Sequence, residues 1–141
     1  MIVLDTNVLS EILRPVPESR VVDWIAAQPR SALFTTTVVE GEILYGIRLL
    51  PDGARRDALM QAVSAIFAED FAGRVLPFDR DSALAYAEIA ASRRLAGRPI
   101  SQFDAMIAAV ARSRGASLAS RNTKDFTDTG IDLVNPWTAP S

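Results

Sequence analysis

The chain has 141 residues, 49% of them apolar, with no cysteine, no histidine and a formal charge of −2. That size and apolar content fit one compact domain, expected over residues 1–141 with a core over about 1–135. Disulfides, thiolate chemistry, zinc–thiolate sites and every histidine-based triad or acid–base pair are excluded, so hydrolysis must run on carboxylates, hydroxyls, tyrosines, Lys124 or a bound metal.

Apolar runs of strand type alternate with helical patterns along the chain. Ile2-Val3-Leu4 predicts a short buried strand, followed by a helix over Asn7 to Leu13 that ends at Arg14-Pro15-Val16-Pro17. Ser19 to Ala27 predicts a second helix and Ala32 to Thr35 a strand. Val38 to Leu50 predicts a helix with Val39, Ile43, Ile47 and Leu50 on one stripe, broken by Pro51-Asp52-Gly53. Ala54 to Phe71 predicts one long amphipathic helix, and Arg74 to Phe78 a strand. Asp81 to Leu95 and Gln102 to Arg114 predict helices stopped by Gly97 and Gly115, the second burying Phe103, Met106, Ile107 and Val110. Ala116 to Ala119 and Ile131 to Val134 complete the strands. Such alternation predicts an α/β fold with a mostly parallel central sheet and helices on both faces.

No run is long enough to span a membrane, and no membrane partner is expected. The opening Met1 to Asp5 has neither the basic start nor the long apolar stretch of a signal peptide, so a cytoplasmic location is the expectation. All fifteen basic residues except Lys124 are arginine. Arginine suits bidentate phosphate contacts, although coding bias in an Ala- and Arg-rich genome produces the same count.

In parallel sheets ligands bind outside the carboxyl ends of the strands, which directs attention to acids there. Asp5 directly follows the first strand, either as a turn former or helix cap or as a functional acid. Thr37-Val38-Val39-Glu40 matches a capping box, which gives Glu40 a structural role. Glu42 has no such role; alone it would be solvated, and beside Asp5 it would be a metal ligand. Ser101 and Asp104 also match a cap and its box position, with Asp104 just off the apolar stripe. Asp79 and Asp81 read as caps of the helix that follows. Asn122 and Asp125 fit either a cap and its partner or an extension of an acidic site. Converging carboxylates repel one another, and a divalent cation removes that repulsion. With oxygen ligands alone, Mg²⁺ or Mn²⁺ is favoured over Zn²⁺.

Four segments, in order, carry a family resemblance. They are Ile2-Val3-Leu4-Asp5-Thr6-Asn7-Val8, Glu42-Ile43-Leu44-Tyr45-Gly46, Asp104-Ala105-Met106-Ile107-Ala108-Ala109 and Ser120-Arg121-Asn122-Thr123-Lys124-Asp125-Phe126, with Asn135-Pro136-Trp137 as a further marker. Together they resemble the PIN-domain ribonucleases of the VapC type, the toxins of type II toxin–antitoxin modules. The resemblance implies a PIN-like three-layer α/β/α sandwich and a metal-dependent endoribonuclease. It implies a metal site of Asp5, Glu42 and Asp104, holding Mg²⁺ with Mn²⁺ as a substitute. The family's fourth acid falls on Asn122, where this chain has lost the charge, and Asp125 is placed to take over part of its role. Thr6 and Thr36 resemble hydroxyl positions lining the site, while Arg121 and Lys124 are neighbours suited to substrate phosphates. The implied partners are an RNA substrate, a cognate antitoxin, promoter DNA reached only through that antitoxin, and a second copy in a homodimer or toxin–antitoxin hetero-oligomer.

Three alternatives compete. A receiver-type phosphoacceptor needs an acidic pair near the first strand, and only Asp5 is there. An aspartyl phosphatase needs a second aspartate at position 7, which is Asn7. A non-catalytic PIN-like domain that binds RNA or protein would have lost its acids, whereas three are retained.

Overall fold

The computed structural model describes residues 1–140. Its core is a sheet of five parallel strands in the order β3-β2-β1-β4-β5. The strands are β1 (Ile2–Leu4), β2 (Leu33–Thr36), β3 (Val75–Leu76), β4 (Ser117–Ala119) and β5 (Leu133–Val134). The helices are α1 (Thr6–Ile12), α2 (Ser19–Ala26), α3 (Thr37–Arg48), α4 (Ala54–Ala65), α5 (Arg80–Leu95) and α6 (Gln102–Ser113). The crossovers from β1 to β2 and from β2 to β3 step across the sheet one way, and the return to β4 steps the other way. Right-handed crossovers therefore put α1 to α4 on one face and α5 with α6 on the other. Among the described residues no helix is long and apolar enough to cross a membrane.

The central strands read as continuous apolar runs because both faces are covered: Val3, Leu4, Leu118 and Ala119 are all buried. Helix α6 is buried at Ala105 and at every position from Ile107 to Ala111. Its small residues let sheet and α5 approach closely. Phe103 departs from the expected stripe and is 56% exposed. It lies on the first turn of α6, beyond the part of the helix that the sheet covers.

Several boundaries differ from the sequence expectation for local physical reasons. The expected Ala54 to Phe71 helix stops as an α-helix at Ala65 and continues as a π turn over Ile66–Asp70. Four residues exceed one α turn, so a row spaced by four drifts around the helix. The wider π turn winds that drift back. Val63, Phe67 and Phe71 are thereby all buried. Strand β3 keeps only two residues of its expected span, since Pro77 has no N–H to pair. The last strand begins at Leu133 instead of Ile131. Thr36, and not Thr37, caps α3, because Thr36 is still extended and its hydroxyl accepts from the Val39 N–H at 3.0 Å. Glu40 thus loses the capping-box role and stays in the first turn, where its charge suits the helix dipole. Asp79 caps α5 as expected, accepting from the Ser82 N–H at 2.9 Å, whereas Asp81 is inside the first turn.

Candidate active site

Strand β1 leads to β2 on one side, and its other neighbour β4 leads to β5 on the opposite side. A crevice opens between adjacent strands whose connections diverge in this way. Asp5 and Ser120 are the first residues past β1 and β4, so both stand at that crevice. The Asp5 N–H donates to the Ala119 carbonyl at 2.9 Å, which holds the two strand ends together.

Asp5 is only 4% exposed. Its Oδ1 accepts from the Thr6 N–H at 2.8 Å and its Oδ2 from the Ser120 hydroxyl at 2.7 Å. The cap reading of this residue holds, since Asp5 starts α1, and the cap stands at the crevice. Burial pushes its carboxyl up to about 6; the Ser120 and Thr6 bonds oppose the rise, and the charges of Asp104 and Glu42 add to it. Glu42 approaches from α3, where its Oε1 accepts from the Thr6 hydroxyl at 2.9 Å. Burial raises its carboxyl above the usual range, and Asp104 raises it further. Asp104 comes from the first turn of α6, positioned by the Ser101 cap that accepts from its N–H at 3.2 Å. Burial lifts Asp104 as well, with Asp125 as an added negative neighbour.

Three carboxylates from three elements thus share one field, with Asp125 next to Asp104. Thr6 serves as the hydroxyl partner of Glu42. Thr36 does not fit the expected place on a substrate surface: it is fully buried and its hydroxyl is committed to the α3 cap. Asn122 has an exposed side chain with no hydrogen bond among the described residues; its backbone alone is engaged, the N–H donating to the Ser120 hydroxyl at 3.1 Å and the carbonyl accepting from the Asp125 N–H at 2.9 Å. It does not cap the 3₁₀ turn Thr123–Phe126 through its side chain. Asp125, in that turn, instead lines a cavity of about 190 Å³ with Asp104. Arg121 is exposed but lies over the Trp137 ring, 5.1 Å from its centroid. Lys124 is exposed on the turn.

Sequence reasoning missed the connecting role of Ser120 and Asn7. Ser120 is fully buried, and its Oγ also accepts from the Asn7 amide at 3.3 Å. The Asn7 Oδ1 in turn accepts from the Arg121 N–H at 3.2 Å. Each adjoined a singled-out acid or motif residue, but nothing in the local pattern joined positions 7 and 120.

All available ligands are oxygen. Among the described residues no three carboxylates close tightly enough to form a metal cage by themselves. Mg²⁺ rarely needs one, because it retains water and takes oxygens from its substrate. Buried carboxylates raised by burial and by one another are the donor set that a hard cation stabilises.

The model of the PIN domain family matches residues 2–131. The chain belongs to the PIN domain family. This PIN domain is 42% identical over 139 residues to the plasmid stability protein StbB of Pseudomonas syringae pv. tomato, covering 99% of this chain and all of the relative. It is 38% identical over 137 residues to the VapC ribonuclease Y4jK of Sinorhizobium fredii, covering 97% and 98% of the two chains. A solved structure of FitAB bound to an IR36 DNA fragment contains a chain that matches this PIN domain with a TM-score of 0.92 and 35% identity. That match covers 100% of this chain and 99% of the other. The expected α/β/α architecture is thus that of the family, with a sheet that is wholly parallel. The receiver and phosphatase alternatives lose their ground.

Proposed function

We propose that this PIN domain is a metal-dependent endoribonuclease and the toxin of a type II toxin–antitoxin module. The observation that carries the reading is the convergence of Asp5, Glu42 and Asp104 from the end of β1, α3 and α6, each with its carboxyl raised by burial. The similarity to a VapC ribonuclease over nearly the whole chain supports it. Residues 1–141 act as a single unit in this reading.

Asp5, Glu42 and Asp104 would hold the cation, with Asp125 as the fourth acid and Asn122 as an outlying oxygen. When bound, Mg²⁺, or Mn²⁺ in its place, supplies Lewis acidity toward a water and toward the scissile phosphate. The protein's share is orientation. Ser120 and the Thr6 N–H fix both oxygens of Asp5, and the Thr6 hydroxyl fixes Glu42. A carboxylate of the cluster, Glu42 or Asp104, orients the attacking water and receives its proton. Lys124 and the in-plane donors of Arg121 grip flanking phosphates. Single-stranded RNA is the favoured substrate class, because its backbone can enter a narrow cleft.

Partners follow the same reading: a cognate antitoxin, promoter DNA reached through that antitoxin, and a second copy of the chain, all in the cytoplasm. The FitAB–DNA structure supports a complex of this kind. The deciding experiment incubates antitoxin-free protein with total cellular RNA, with and without Mg²⁺, and maps the cut ends. Cleavage should require Mg²⁺ and fall roughly 100-fold or more in Asp5→Asn. Equal cutting in EDTA, or full activity in Asp5→Asn, would overturn the reading.

A further inference from the structure

The carboxylate of Asp125 has no hydrogen bond or ion pair among the described residues, so its position beside Asp104 is set by its backbone. That backbone is held by one buried cation. Arg93, on the last turn of α5, is 6% exposed. Its Nε donates to the Arg98 carbonyl at 2.7 Å, and its Nη1 donates to the carbonyls of Asp125 and Thr127, both at 3.0 Å. Arg98 belongs to the loop that runs on to Ser101, the cap that positions Asp104. Asp125 and Thr127 belong to the turn after β4. A single guanidinium therefore joins the two segments that deliver Asp104 and Asp125, and Arg93 lines the same cavity as both acids.

Burying a charge is costly unless it is well hydrogen-bonded, and Arg93 has no acidic partner among the described residues. Its planar fork reaches the Asp125 and Thr127 carbonyls through Nη1 and the Arg98 carbonyl through Nε at once, which a lysine point charge with a single nitrogen does not reproduce. Among the described residues the only other hydrogen-bonded or ionic tie between the segments is exposed: Arg98 pairs with Asp128 and reaches the Thr127 hydroxyl at 3.5 Å. Phe126, buried between the two clamped carbonyls, anchors the turn to the core.

We infer that Arg93 is a positioning residue of the acidic site, whose buried guanidinium holds the Asp125 turn against the Asp104 loop. The inference rests on the reading of the acids as a metal site only where metal affinity is measured; the clamp itself does not depend on it.

The test compares wild type with Arg93→Met, and with Arg98→Ala as the exposed control, in the full chain. Hydrogen exchange of the metal-free protein should quicken about tenfold or more at amides 123–129 in Arg93→Met and much less in Arg98→Ala. Mn²⁺ affinity should fall roughly tenfold, and adding Asp125→Asn to Arg93→Met should cost no more than either change alone. The same Asp125→Asn should add fully to Arg98→Ala. Unchanged exchange at 123–129, or losses in Mn²⁺ affinity that simply add, would overturn the inference. Should Arg93→Met fail to fold, Arg93→Lys enters the same comparison, since it keeps the charge and loses the fork. If the wild type binds no Mn²⁺ and cuts no RNA, the functional reading falls and exchange alone decides the role of Arg93.

Discussion

At the scale of single residues the chemistry rests on how few partners each acid has. Among the described residues Asp5 has two, and one is the Ser120 hydroxyl, the only side-chain donor there to a carboxylate whose burial is nearly complete. Ser120→Ala removes a bond that favours the ionised form, so the Asp5 carboxyl rises above about 6. The acid limb of the pH–rate profile should then move to higher pH, with activity at pH 8 less affected than at pH 6. A uniform loss across the pH range would show that Ser120 acts elsewhere. Asp5 and Glu42 were legible as unusual acids because a strand end and a short-lived amphipathic register frame them. Ser120 was not, since a serine beyond a strand has no pattern of its own until β1 and β4 lie side by side.

At the scale of elements, helix termini were read well wherever a single residue type settles the backbone. Gly97 and Gly115 follow α5 and α6 with φ of 75° and 65°, a region that penalises any side chain. Ser101 caps α6 as its spacing predicts. The sequence pointed to Thr37 as the cap of α3, and the pairing of β2 with β3 moved the cap to Thr36 by keeping that residue extended. The same kind of tertiary decision shortened β3 and turned the end of the expected α4 helix into a π turn. Ser101→Ala should cost about 1 kcal/mol in urea unfolding through the lost cap. Because Asp104 is the residue whose N–H is capped, the same variant should also weaken Mn²⁺ binding; stability loss with unchanged Mn²⁺ affinity would separate the cap from the site.

At the scale of the whole molecule, the acidic site is a strain that the fold carries. Asp5 has its carboxyl raised from an ordinary 3.8 to about 6, so the folded state holds that proton more tightly than the unfolded chain does. The associated stabilisation is fully present below pH 3.8 and is lost as pH rises through about 6. By neutral pH the loss amounts to about 3 kcal/mol. Glu42 and Asp104 are shifted the same way. The metal-free protein should therefore lose stability between pH 5 and pH 8 from these groups, and Mg²⁺ should raise Tm more at pH 8 than at pH 5. Thermal melts at the two pH values, with Mg²⁺ and with EDTA, check this; an equal Mg²⁺ effect at both would detach the ion from these carboxylates.

The sequence by itself determined the α/β class, the order of the elements and the residue types able to do chemistry. Those properties are local: periodicity, caps, glycine stops and the absence of histidine and cysteine are all visible along one chain. Tertiary structure decided which acids meet. The reversal of direction at β1 and β4 brings position 5 to position 120, the crossing of α3 and α6 brings 42 toward 104, and Arg93 ties 125 to the loop before 101. The physical reason is that convergence depends on strand order and on long-range hydrogen bonds, and neither leaves a periodic trace between residues more than thirty apart.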